Sequence, residues 1–72
     1  MTEQTYAITH LVGTSTTGVD DAIRNGIERA GKTLRNLDWF ELAEVRGAIL
    51  GGEVTHYQVT LKVGFRLEDT QE

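Results

Sequence analysis

The side chains of Trp39, Gln58 and Arg46 could together hold a flat ligand. Trp39 is the only tryptophan of the chain, and an indole stacks readily on another aromatic ring. The amide of Gln58 can both donate and accept a hydrogen bond, so it can read the polar edge of a heteroaromatic ring. Arg46 could bind an anionic tail such as a phosphate. Two other interpretations stay open, with Trp39 as a core side chain and Arg46 as a surface arginine lying along the sheet.

The segment from Gly26 to Thr33 matches the phosphate-binding pattern G-x-x-x-x-G-K-[ST]. In true phosphate loops the first glycine follows a strand, and the loop wraps the phosphates before a helix begins. Here Ile27 and Ala30 are in phase with the apolar stripe of a predicted helix, and no strand directly precedes the match. We therefore interpret the match as a coincidence.

The remaining polar residues do not form a recognisable reaction centre. His10 and His56 are the two histidines of the chain, and neither lies in a metal-ligand motif, so we expect surface or interface histidines. No Ser/His/Asp arrangement or nucleophile elbow is discernible. The chain contains no cysteine, which excludes a thiolate nucleophile and a cysteine-based zinc site. The sequence therefore predicts a binding protein rather than an enzyme.

Four elements are predicted to position these residues. Residues 5–12 are rich in β-branched and aromatic side chains, which is typical of a strand. From Val19 to Leu37 the apolar residues recur with the period of an amphipathic helix, and Thr17 with Asp20 is a weak capping pair at its start. Two further strands, over 39–50 and 53–67, flank a Gly51-Gly52 turn. We predict an α+β fold of order β-α-β-β, in which a three-stranded antiparallel sheet partly wraps one helix, as a single domain over 1–72.

Gly26 and Gly31 lie inside the predicted helix, where each costs up to ~1 kcal/mol relative to alanine. A close approach by another backbone would explain their presence.

A two-residue turn predicts the register of the hairpin. Phe40 then lies opposite Val63 and Leu42 opposite Leu61, on an apolar face that should receive the helix. The other face pairs Val45 with Gln58 and Glu41 with Lys62, and it carries Trp39 at its end. A slip of one residue would exchange the two faces, so this register stays open.

The small size of the chain suggests an assembly. A chain of 72 residues without cysteine has a small core and no covalent staple, and oligomerisation is the common remedy. A third strand over 53–67 would run ~50 Å. This is longer than the diameter of a compact globule of 72 residues, whose radius of gyration would be ~11 Å. The net charge of −4 argues against binding to nucleic acid. No stretch is long and apolar enough for a membrane span, and the first residues do not resemble a signal peptide, so a cytoplasmic protein is expected.

Four segments resemble the dodecins, a family of small bacterial and archaeal flavoproteins. The segments are Val12-Gly13-Thr14-Ser15, Leu37-Asp38-Trp39-Phe40-Glu41, Arg46-Gly47, and the run from His56 to Glu68. Their spacing matches the family, and the resemblance covers residues 6–69. Asp38-Trp39-Phe40 together with Arg46 resembles the bacterial branch.

The resemblance implies a hollow homododecamer that stores and sequesters flavin and protects it from light. It implies pairs of flavins stacked between Trp39 residues of two subunits, with Gln58 bonded to the pyrimidine edge and Arg46 at the phosphate of FMN. Asp38 and Val45 are expected to line the pocket. The implied ligand is FMN, or riboflavin or FAD, and some family members also bind coenzyme A. The alternative is a ligand-free structural or interaction module in which Trp39 and Gln58 are subunit-interface residues.

Overall fold

The computed structural model describes residues 3–68, and its four elements follow the predicted β-α-β-β order. The elements are β1 (Tyr6–Ser15), α1 (Val19–Gly31), β2 (Leu37–Leu50) and β3 (Glu53–Arg66). The strands form one antiparallel sheet of three strands in the order β1-β3-β2, so β3 is central. The predicted fold class is confirmed. Asp69, the last residue of the resemblance, lies outside the described residues.

The hairpin between β2 and β3 turns at Gly51 and Gly52, as predicted. Their φ angles are +60° and +81°, in the left-handed region where side chains other than glycine's are strained. Two positive φ angles in succession are typical of the tight turn whose twist matches that of a hairpin. Leu50 accordingly lies opposite Glu53, which starts the register at the expected pair.

The register of the hairpin is partly as predicted and is changed in the middle. Phe40 lies opposite Val63 and Leu42 opposite Leu61, as expected. The register shifts by one residue between Ile49 and Ala48 and shifts back between Glu44 and Leu42, so the residues from Glu44 to Ala48 face other partners in β3 than a regular hairpin would give. Val45 therefore lies opposite Val59 and Arg46 opposite Gln58, and the predicted pairing of Val45 with Gln58 is wrong.

Helix α1 begins at Val19, as predicted, but ends at Gly31, before the apolar stripe is complete. The amides of Lys32 and Thr33 bond to the carbonyls of Arg29 and Ala30 at 3.2 and 3.0 Å, which tightens the last turn. Leu37, the last member of the stripe, belongs to β2. The helical period therefore continued past the helix because Leu37 also packs against the core, from the sheet.

The predicted capping pair of Thr17 and Asp20 is not formed, since Gly18 is the N-cap and no side chain caps the helix. Ser15 organises this corner instead. Its Oγ accepts hydrogen bonds from the amides of Thr17 (2.8 Å) and Gly18 (3.3 Å) and donates one to Asp21 Oδ2 at 2.7 Å.

Gly26 faces β1 at a close approach of two backbones. A Cβ built at Gly26 would lie 3.3 Å from the Cα of Gly13 and 3.0 Å from Leu11 Cδ1. The expected explanation is confirmed for Gly26 but not for Gly31, whose Cβ would meet only Leu37 Cδ1 at an ordinary 3.9 Å. Residues 26–31 of the phosphate-loop match are helical, as the interpretation of that match as a coincidence required.

The core lies between α1 and the β1 and β3 strands, and it leaves β2 beyond Leu37 largely uncovered. Ala22, Val59, Leu61 and Val63 are fully buried. Phe40 and Leu42, which were expected beneath the helix, are 48% and 43% exposed. A helix ~10 Å wide spans about two strands spaced ~4.8 Å apart. Because α1 follows β1 through a short loop, it covers β1 and its neighbour β3 and approaches β2 at Leu37, where that strand begins.

The long hairpin gives the chain an elongated shape. Its principal extents are 59 × 20 × 14 Å and its radius of gyration is 15.4 Å, against the ~11 Å of a compact chain. The long third strand expected from the sequence is confirmed, since β3 spans Glu53–Arg66. Apolar side chains of the hairpin tip, Ile49 and Leu50, are exposed. In the part of the chain that the structure describes, no helix has the length and apolar character needed to cross a membrane.

Candidate functional site

The face of the sheet turned away from α1 carries the principal residues predicted to bind a ligand. Paired residues of adjacent strands point to the same face, so strand pairing arranges their side chains in rows. Five rows cross this face from β1 through β3 to β2: Tyr6 and Arg66; Ile8, Gly64 and Trp39; His10, Lys62 and Glu41; Val12, Thr60 and Glu44; Thr14, Gln58 and Arg46. Trp39, Gln58 and Arg46 therefore share one face, as predicted for Trp39 and Gln58.

Trp39 rests on the backbone of the central strand at Gly64. A Cβ built at Gly64 would overlap the indole at Cε2, Cζ2 and Nε1. The absence of a side chain at this position therefore allows the indole to lie against the sheet. The side chain is nevertheless 41% exposed, so the ring is supported from below and accessible from outside. An aromatic ring held in this way is a platform on which another ring can stack.

Gln58 and Arg46 form a directly opposed pair of β3 and β2. Arg46 is exposed, and the one ion pair found among residues 3–68 joins Arg35 to Glu68 at 3.1 Å, so it leaves Arg46 unneutralised. The side chain of Gln58 takes part in none of the side-chain hydrogen bonds of the same region. The pair thus offers a cation and a free amide side by side.

Trp39 and Gln58 are far apart within one chain. Trp39 lies opposite Gly64, and Gly64 is six positions along β3 from Gln58, which is about 20 Å at ~3.4 Å per residue. The expectation of an aromatic plate beside an amide does not hold within a single chain. One tricyclic ring stacked on the indole would not reach the amide of the same chain.

Asp38 and Val45 occupy different environments. Asp38 lies in the irregularity of β2 between Leu37 and Trp39, so it borders the indole. Val45, opposite Val59, lies on the face that carries α1 and is half exposed. The shifted register of this segment therefore separates Val45 from Gln58.

Tyr6 lies near this site, although its place there was not predicted from the sequence. A hydrogen bond to the Asp38 carboxylate raises the pKa of the Tyr6 hydroxyl above its ordinary value, and the positive charge of Arg66 opposes this in part. The alternation of β1, which places Tyr6 on one face with Ile8 and His10, was the signal that could have revealed its side of the sheet. Its contact with Asp38, across the central strand, has no counterpart in the local sequence.

The other charged candidates do not assemble a second centre. Glu41 lies opposite Lys62 as predicted, but their charged groups are not within ion-pair distance in the described residues 3–68. His10 lies opposite Lys62, and His56 lies opposite Ala48. Within that same part of the chain, no cluster of histidine and acidic side chains could hold a metal ion.

Comparison with known proteins gives consistent matches. The family model described as Dodecin matches residues 5–68. The Dodecin of Thermus thermophilus is 55% identical over 65 residues, which are 90% of this chain and 94% of that protein. The solved dodecin from Streptomyces davaonensis matches with a TM-score of 0.90 and 60% identity, covering 94% of this chain and 100% of that one. The dodecin from Streptomyces coelicolor matches with a TM-score of 0.90 and 57% identity, covering 97% and 100%.

Proposed function

The chain belongs to the dodecin family, and from that premise we propose that it binds a flavin by stacking the ring on Trp39. Family membership supports a flavin-binding role in general. The observation that carries the proposal is the indole of Trp39, which lies against Gly64 while remaining 41% exposed. A ligand ring placed on this platform would bury apolar area at roughly 25 cal/mol per Å².

The site is completed by another copy of the chain. Because Trp39 and Gln58 are about 20 Å apart along one sheet, a ring stacked on Trp39 takes its hydrogen bond from the Gln58 amide of a second copy. Family relatives suggest oligomeric self-assembly, and the assembly proposed here is a homododecamer. The uncovered apolar residues of β2, Phe40, Leu42 and Val45, supply a surface that association would bury.

The proposed ligand is FMN, with riboflavin and FAD as related ligands. Arg46 lies beside Gln58, so a copy that reads the ring edge through Gln58 also presents a cation to the phosphate. That cation matters because each chain carries a net charge of −4, which repels an anionic ligand in a large assembly. Asp38 borders the ring stacked on Trp39. Val45 lies on the opposite face of its own sheet, and its proposed role is to line the pocket from that face. Coenzyme A is assigned no residues.

Storage, sequestration and photoprotection follow from this arrangement. A flavin supplies a light-absorbing, redox-active ring, and the indole of Trp39 is an electron donor in contact with it. Contact between them quenches the excited state and covers the ring. Covering both faces between two Trp39 side chains leaves no space for a substrate, so the proposed role is binding without catalysis.

Native mass spectrometry of the protein with and without FMN tests the number of subunits and ligands together. The expected result is a homododecamer that gains FMN in even numbers. A parallel titration followed by flavin fluorescence should show quenching. An assembly that gains no FMN and leaves its fluorescence unchanged would support the alternative, in which Trp39 and Gln58 are subunit-interface residues.

A further inference from the structure

Leu37 and Trp39 are two positions apart in β2, yet their side chains lie on opposite faces of the sheet. Leu37 lies opposite Phe65 and packs against the core on the side of α1, whereas Trp39 lies opposite Gly64 on the other face. In a regular strand, residues two positions apart point to the same face. The extra residue is Asp38, which makes this segment of β2 a bulge. The bulge therefore lets β2 place Leu37 in the core and still present Trp39 as the platform.

A bulge stays in place only if the register is fixed on both sides of it. After the bulge, β2 pairs with β3 from Trp39 to the turn. Before the bulge, β2 contributes a single residue, Leu37, which pairs with Phe65. A regular strand would pair Leu37 with Arg66 instead and would turn its side chain to the face of Trp39. The register before the bulge therefore depends on the residue that precedes Leu37.

That residue, Asn36, is bonded twice to the main chain of Arg66. The amide of Arg66 donates to the carbonyl oxygen of Asn36 at 3.0 Å, and Asn36 Nδ2 donates to the carbonyl oxygen of Arg66 at 3.2 Å. The φ of Asn36 is +64°, in the left-handed region that asparagine adopts more readily than most residues. Its side-chain amide thus makes the bond that the backbone amide would make in a regular antiparallel pair. The two bonds extend the register of Leu37 by one pair.

A second acceptor orients the same amide group. Asn36 Nδ2 also donates to Glu68 Oε2 at 3.4 Å, and Arg35 pairs with that oxygen at 3.1 Å. Both partners of the amide are oxygens, so its nitrogen faces them and its oxygen cannot take this place. Position 36 therefore requires a hydrogen-bond donor, and a carboxylate there would face a carbonyl and a second carboxylate.

We propose that Asn36 is a positioning residue of the ligand platform, which holds the bulge at Asp38 and thereby the indole of Trp39. The proposal rests on the proposed function for its ligand, but the placement of the indole belongs to the chain without ligand. Asn36 acts through the backbone, three residues ahead of Trp39. Without its two bonds, the beginning of β2 frays or takes the regular register, in which Leu37 leaves the core and lies beside the indole. Either change loosens the indole or crowds the ring that stacks on it.

The first measurement uses the assembled protein without flavin, in which Trp39 is the only tryptophan and reports its own mobility. Asn36→Asp replaces the donor by an acceptor. In time-resolved fluorescence anisotropy, it should at least double the amplitude of the nanosecond motion of the indole, and its affinity for FMN should fall at least fivefold. Asn36→Gly keeps the positive φ accessible but carries neither a donor nor a charge, and it should give the same two changes.

Asn25→Asp is the matched control. Asn25 Nδ2 donates to the carbonyl oxygen of Thr14 at 3.0 Å and to Asp21 Oδ2 at 3.3 Å, which are the same two kinds of acceptor. Thr14 lies six positions along β1 from Ile8, which is in the row of Trp39. This control should lower the urea unfolding midpoint, as Asn36→Asp does, and should leave the motion of the indole as in the wild type.

Unchanged motion of the indole in both Asn36 variants would overturn the proposal. An equal increase in Asn25→Asp would overturn it too, because the effect would then follow from lost stability alone. Titration with FMN separates the two proposals. If the wild type binds no FMN, the proposed function is refuted while the anisotropy still decides the role of Asn36. Binding of FMN that is equally tight in the wild type and in both Asn36 variants would refute the positioning role and leave the proposed function standing.

Discussion

Trp39 lies directly opposite Gly64, and its indole occupies the space that a side chain at position 64 would fill. The platform for a ligand ring is therefore made by two residues, one that supplies the ring and one that supplies no side chain. Neighbouring Ile8, in the same row on β1, borders the platform. The position of the indole depends on Gly64 as much as on Trp39.

Gly64→Ala should weaken FMN binding by about tenfold or more, since a displaced indole loses a stacking contact worth ~1–3 kcal/mol. Fluorescence titration measures the change. Gly31→Ala is the matched control, because a Cβ there meets only Leu37 Cδ1 at 3.9 Å. The affinity of this variant for FMN should equal that of the wild type. Equal affinities for FMN in both variants would show that the ligand does not stack on the indole of Trp39 that lies against Gly64.

Trp39→Ala should abolish most of the quenching of flavin fluorescence and weaken binding by roughly 10–100-fold, the equivalent of ~1–3 kcal/mol. Trp39→Phe keeps a ring for stacking but removes the more easily oxidised indole. Trp39→Phe should therefore retain a larger share of the wild-type affinity for FMN than of the wild-type fluorescence quenching. Time-resolved fluorescence of bound FMN checks this separation, and full quenching in Trp39→Ala would contradict the stacking role.

Arg46→Ala should weaken FMN more than riboflavin, because hydrogen bonds to charged groups are worth ~1.5–3 kcal/mol and riboflavin has no phosphate. The difference should shrink at high salt. Arg24→Ala removes the same charge from the exposed surface of α1 and serves as the control. Equal losses for both ligands in Arg46→Ala would remove Arg46 from the phosphate-binding role.

Gly13→Ala should destabilise the fold by about 1–3 kcal/mol or more, because the added Cβ would overlap the carbonyl oxygen of Ala22 in α1. A backbone carbonyl in a helix cannot relieve this overlap by rotating away, as a side chain could. Gly18→Ala meets nothing within 4 Å and should change stability by less than ~0.5 kcal/mol. Urea unfolding at equal protein concentration compares the two, since assembly makes the midpoint concentration-dependent.

The alkaline titration of Tyr6 should respond to Asp38. The carboxylate raises the pKa of Tyr6, so Asp38→Asn should lower it towards the ordinary value, as measured by the ultraviolet absorbance of tyrosinate. A raised folded-state pKa means that the contact contributes stability below the unfolded-state value of ~10. That contribution is lost as the pH rises through the folded-state pKa. An unchanged Tyr6 titration in Asp38→Asn would refute the contact.

The sequence by itself determined the local elements and their order. The predicted register placed Leu61 and Val63 on the apolar face, and both side chains belong to the core. The Gly51-Gly52 turn predicted the hairpin and its first pairs. Such features were predictable because side-chain period and turn conformation depend on residues that are close together in the chain. Trp39 and Gln58 were assigned to one face for the same reason.

Only the tertiary structure decided how these elements meet. Two register shifts, between Ala48 and Ile49 and between Leu42 and Glu44, placed Arg46 beside Gln58 and moved Val45 to the other face, and no local pattern marked their positions. The helix left most of β2 uncovered because the position of the helix was set by its connection to β1 and by its width. The separation of Trp39 from Gln58 follows from the pairing of Trp39 with Gly64, and the effect of Asp38 on Tyr6 joins the two outer strands of the order β1-β3-β2. These relationships join residues distant in sequence, so packing across the sheet decides them and periodicity along the chain does not.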